Sequence, residues 1–219
     1  MQSLVVFDLD GTLVDSRTDL VVSANEMLKS FGASALDEAA VASFVGDGAK
    51  MLVARSLKAA GLPPASLGDA LAKFLEIYSG RLVETTRPYD GITDIVARAA
   101  DDGVRLGVLT NKPIGPTFTI LNHFNLARHF TWVIGGDGEF PRKPDPAGLQ
   151  WIIGDAGGER SRTLFVGDSQ VDADTARAAQ TRFCLAAYGF GQARGIVSLR
   201  HGEFYARSAR DVGAVVATI

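Results

Sequence analysis

Five short apolar runs constrain this chain more than any other feature: Leu4 to Phe7, Arg105 to Leu109, Trp132 to Ile134, Thr163 to Val166 and Arg182 to Ala186. Each is too short for a helix, and helical patterns separate most of them. Strands that are apolar nearly throughout are covered on both faces. Strands alternating with helices form a parallel sheet, because each parallel connection must cross over. The spacing therefore predicts an α/β fold. Between the first two runs, Ile92, Ile95, Val96 and Ala99 make one helical stripe, and Gly103 is placed to stop it.

The chain has 219 residues, 47% of them hydrophobic. That suffices for one sizeable core, or a core domain with a smaller companion. A formal net charge of −3 argues against a general nucleic-acid binder, which needs a basic surface. Small anionic substrates remain compatible with it, because local charges bind them. Cys184 is the only cysteine, so no intramolecular disulfide can form, and its apolar neighbours predict burial. Asp8 and Asp10 interrupt the only N-terminal run that could pass for a signal, and no stretch approaches the ~20 apolar residues of a membrane span. The expectation is a cytoplasmic protein without membrane contact, monomeric or homodimeric.

In open α/β sheets, ligands sit beyond the carboxyl ends of the strands. Asp8, Thr110 and Asp168 all fall at such ends. The first run continues as Asp8-Leu9-Asp10-Gly11-Thr12, two carboxylates two positions apart before a turn. Such a compact anionic site calls for a cation and suits phosphate chemistry with magnesium. Thr110-Asn111 ends the second run, where a hydroxyl and the next backbone amide can hold phosphoryl oxygens. Lys143 stands in Lys143-Pro144-Asp145-Pro146. Asp168 ends the fourth run, with Asp172 four residues on. A helix starting near Ser169 would aim both carboxylates into one crevice.

These four segments, in this order, resemble the motifs of the haloacid dehalogenase superfamily in its phosphatase form, and most closely its phosphoglycolate phosphatases. The resemblance covers nearly the whole chain. It implies a Rossmann-like parallel-sheet core with an inserted small α-helical cap domain, and Mg2+ as cofactor. It implies hydrolysis of a small phosphorylated metabolite through an aspartyl-phosphate, with 2-phosphoglycolate the preferred expectation. Asp8 would be the nucleophile, being ionised at neutral pH without an activating base. Asp10 would be general acid and base. Lys143 would offset the clustered negative charge. Gly11 and Thr12 would turn the backbone towards the phosphate, and Thr110 and Asn111 would bind it. Asp8, the Asp10 carbonyl and Asp168 would hold the metal, with Asp172 acting through water or by orienting Lys143. Two alternatives stay open: a phosphomutase resembling the β-phosphoglucomutases, and a regulator that binds phosphate without turnover. A dehalogenase fits less well, since Asp10 and the acidic cluster suit phosphoryl transfer.

Residues 16–86 contain no convincing strand. Helical stripes run through Leu20, Ala24, Met27, Leu28 and Phe31, then Met51 to Lys58, then Leu71, Phe74, Leu75 and Tyr78. This interval matches the cap of the family, leaving 1–15 and 87–219 as the catalytic core. Phe44 to Ala49, with Gly46 and Gly48, resembles a cap segment that approaches a substrate carboxylate, with Arg55 a candidate counter-charge. His123, His129 and His201 lack metal-ligand spacing, and Gly189, Gly191 and Gly195 read as loop residues.

Overall fold

The computed structural model describes residues 3–191 and 197–219. Gly195 lies outside the described residues. All five apolar runs are strands: β1 (Leu4–Phe7), β4 (Arg105–Leu109), β5 (Trp132–Ile134), β6 (Thr163–Gly167) and β7 (Arg182–Ala186). A sixth, β8 (Phe204–Ala206), completes one parallel sheet in the order β5-β4-β1-β6-β7-β8. β1 is central, with Phe7 level with Val108 on one side and with Val166 on the other. The ends that carry Asp8, Thr110 and Asp168 therefore emerge side by side.

Alternation along each strand divides the core. Val5, Phe7, Val108, Leu164 and Val166 face one way, where α5 (Ile92–Asp101) and α9 (Ala209–Val216) cover them with Ile92, Val96 and Val212. Leu4, Val6, Phe165 and Leu185 face α7 (Ala147–Asp155) and α8 (Gln170–Ala179), which supply Leu149, Ile152, Ala173 and Ala176. Cys184 is buried in the first of these layers. The remaining core helix, α6 (Ile114–His123), follows β4.

Four helices lie between β1 and α5: α1 (Arg17–Ser30), α2 (Glu38–Ala42), α3 (Ala49–Ala59) and α4 (Leu67–Ser79). Their apolar faces meet through Met27, Leu28, Leu52, Leu57 and Phe74, all essentially buried. The chain leaves through β2 (Val14–Asp15) and returns through β3 (Arg87–Pro88), which pair antiparallel. Asp19, fully buried in α1, accepts hydrogen bonds from the backbone N–H and hydroxyl of both Thr85 and Thr86 at 2.7–3.1 Å, fixing the return beside the exit. The sequence reading missed α2, β2, β3 and β8. No helix among the described residues is long and apolar enough to cross a membrane.

Candidate active site

The loop after β1 is a tight turn. Gly11 has φ +87°, and a Cβ there would come within 1.9 Å of Asp168 Oδ2, so only glycine lets this loop approach Asp168 so closely. Asp8 directly follows β1, its N–H donating to the Val166 carbonyl at 2.9 Å. Asp168 follows β6, its Oδ2 accepting the Gly191 N–H at 2.6 Å. α8 begins with a reciprocal cap: Asp172 N–H donates to Ser169 Oγ, and Ser169 N–H donates to Asp172 Oδ2 at 3.0 Å. The Ser169 hydroxyl also reaches that oxygen at 2.6 Å. Asp172 Oδ1 is thereby aimed at Lys143.

Lys143 Nζ lies 2.7 Å from Asp172 Oδ1 and 2.7 Å from Asp8 Oδ1. Burial opposes its charge, but Asp172 and Asp8 more than offset this and hold its pKa above the usual lysine value. Asp8, Asp168 and Asp172 can each bring a carboxylate oxygen within 4.8 Å of the others, all buried. One lysine cannot neutralise three acids. Burial, with the Asp172 and Asp10 charges, raises the Asp8 pKa to about 6, despite the lowering by Lys143. Burial, Asp172 and Asp8 likewise raise Asp168 well above the carboxylate range. A closely packed, oxygen-only, excess-negative donor set is what a hard divalent cation requires, so these residues fit a metal ion.

Asp10 points towards the other wall. Its Oδ1 accepts the Ser16 hydroxyl at 2.5 Å, and Lys112 Nζ donates to Oδ1 and Oδ2 at 3.1 and 3.2 Å. Lys112 also contacts the Tyr78 hydroxyl, which α4 brings across from the helical segment. Burial raises the Tyr78 pKa to about 12 against the lowering by Lys112. Thr110 is buried at the end of β4, and its Oγ1 accepts the Lys112 N–H at 3.2 Å. The Asn111 side-chain amide donates to the carbonyls of Gly46 at 2.9 Å and Lys143 at 3.0 Å. That amide is thus committed to protein carbonyls. Thr12 is fully buried, its hydroxyl lacking a protein partner among the described residues.

One cavity joins these parts. Asp8, Asp10, Thr110, Asn111, Lys112 and Asp168 form its floor, while Val45, Gly46, Leu52, Phe74 and Tyr78 close it from the helical side. The four distant segments do converge. Arg55 is not available as a counter-charge: it pairs with Asp47 and donates to the Phe44 carbonyl at 3.0 Å, bracing the 44–47 loop. Sequence reading also missed Lys112, Tyr78, Ser16 and the N–H of Gly191. For Lys112 a signal existed, its place directly after Thr110-Asn111.

Residues 5–186 match the haloacid dehalogenase-like hydrolase family. This chain belongs to that family. It is 39% identical over 197 residues to Phosphoglycolate phosphatase 1 of Pseudomonas aeruginosa, covering 88% of this chain and 72% of that one. It is 40% identical over 198 residues to a phosphoglycolate phosphatase of Rhodospirillum rubrum, covering 88% and 82%. The crystal structure of a predicted phosphoglycolate phosphatase from Haemophilus somnus 129pt superposes with a TM-score of 0.92 at 28% identity, over 98% of this chain and 97% of that one. As a member of this hydrolase family with phosphatase relatives, the chain is an enzyme of the phosphoric monoester hydrolase type.

Proposed function

We propose that this enzyme hydrolyses a small, acid-bearing phosphate monoester, 2-phosphoglycolate foremost, through a phosphorylated Asp8, with Mg2+ held by Asp8, the Asp10 carbonyl and Asp168. The single observation that carries this reading is the convergence of Asp8, Asp168, Asp172 and Lys143 in one buried cluster. Bound there, Mg2+ would screen the repulsion between carboxylate and phosphate and stabilise charge on the phosphoryl oxygens.

The residues divide the work. Lys143 holds Asp8 towards the reacting phosphorus and adds positive charge to the transition state. Asp172 positions Lys143. Thr110 and the backbone at Asn111 receive phosphoryl oxygens. Asp8 attacks phosphorus, and the bond to the leaving oxygen breaks as Asp10 donates its proton. Asp10, now ionised, then takes a proton from the water that cleaves the aspartyl-phosphate, which releases phosphate and restores both groups. Residues 16–86 act as a cap whose helices shut the cavity from bulk water.

The test is phosphate release from 2-phosphoglycolate with Mg2+. Asp8→Asn should lower kcat at least about a thousandfold while leaving the circular dichroism spectrum unchanged. Near-native turnover in that variant would falsify attack by Asp8. Isomerisation of a sugar phosphate without phosphate release would replace hydrolysis by mutase chemistry.

A further inference from the structure

We infer that Lys112 reads a carboxylate on the leaving group, and that this contact releases Asp10 to turn towards the leaving oxygen. The inference rests on the hydrolysis proposed above and deepens it. Among the described residues lining the cavity, Lys112 is the only cation. The wall around it on the helical side is apolar, with Leu20, Val45, Leu52, Phe74 and Leu75. Lys143, behind Asp8, is engaged by Asp8 and Asp172, so an anionic leaving group on the helical side of this space meets Lys112.

The geometry places that counter-charge one hydrogen bond beyond the catalytic acid. Lys112 Nζ is 3.1 Å from Asp10 Oδ1, and its side chain is 4% exposed. To protonate the leaving oxygen, Asp10 must lie within hydrogen-bond reach of it. In 2-phosphoglycolate a single methylene separates that oxygen from the carboxylate carbon. Seating the ester oxygen beside Asp10 therefore brings the carboxylate up to Lys112.

An ammonium has three donors and no acceptor. Here they serve the two oxygens of Asp10 and the Tyr78 hydroxyl. A substrate carboxylate that captures one of them loosens the hold on Asp10, which keeps its bond from Ser16 and can turn towards the leaving oxygen. A neutral leaving group offers Lys112 nothing better than Asp10, so the acid stays bound. Selectivity arises from charge at a fixed distance, and a site built to pair a buried ion discriminates more sharply than an apolar pocket does. Tyr78 keeps Lys112 in place from the opposite wall, so the reading occurs with the cavity shut.

The experiment compares kcat/KM for 2-phosphoglycolate and its carboxamide, 2-phosphoglycolamide, in the Mg2+-loaded enzyme. Wild type should prefer the carboxylate by about a hundredfold or more. In Lys112→Met that ratio should fall below about fivefold, with loss in kcat as well as KM for the carboxylate substrate. An equal loss on both substrates, or a retained preference, overturns the inference. Should Lys112→Met fail to fold, Lys112→Gln is read the same way. The wild-type ratio also decides without any variant, because an enzyme indifferent to the carboxylate has no such reader. Hydrolysis of p-nitrophenyl phosphate, abolished in Asp8→Asn, keeps the phosphatase reading separate: with that activity present and no carboxylate preference, only the role of Lys112 is lost.

Discussion

Asp19 carries no chemistry, yet it ties the return of the helical segment to its exit. Burial would raise its pKa, but the donors of Thr85 and Thr86 outweigh burial and hold it below the usual value. A carboxylate lowered on folding contributes stability above its unfolded pKa, about 3.9, and that contribution fades as pH falls through the folded value. Urea unfolding should show wild type losing stability steeply below about pH 4, with Asp19→Asn flatter over the same range. At pH 7, Asp19→Ala should cost about 3 kcal/mol, because buried N–H groups lose their acceptor. Asp8, Asp10, Lys143 and Asp168 were legible in the sequence because each sits in a short segment with its own turn or strand signal. The partnership of Lys112 with Tyr78 and Asp10 was not, since it joins residues 34 and 102 apart. No local pattern announces such a contact.

At the scale of elements, the strands were readable to within a residue, because buried parallel strands are apolar on both faces. What escaped was short or on an edge. β8 has three residues with Tyr205 exposed, β2 and β3 have two each, and α2 has five. Elements of that size take their stability from neighbours rather than from their own pattern. The start of α8 is the opposite case, since Ser169 with Asp172 three residues on is a reciprocal cap that the sequence displays. Ser169→Ala should lower stability by about 1 kcal/mol in denaturant unfolding. It should also lower kcat, because Asp172 loses its anchor and with it the orientation of Lys143. A variant with lost stability and untouched kcat would show that the cap serves the helix alone.

Across the whole molecule, a surplus of buried negative charge is the feature most open to measurement. Adding Mg2+ should raise the melting temperature of wild type, by the equivalent of about 2.7 kcal/mol at a hundred times the dissociation constant. Asp168→Asn should abolish that shift and start from a higher melting temperature in EDTA, since one of three crowded acids is gone. A full shift in Asp168→Asn would remove this residue from the metal site. The exit and return strands, paired at Val14 with Pro88 and Asp15 with Arg87, have a consequence of another kind. Because both ends of the 16–86 stretch meet at one doorway, it can be exchanged as a cassette for the corresponding stretch of a relative. Such a graft would import a new roof while Lys112 stays in the floor, but it would also replace Ser16 and Tyr78, which hold Asp10 and Lys112. Chimeras that keep a serine and a tyrosine at those two places should therefore change which shapes are admitted while still favouring acids.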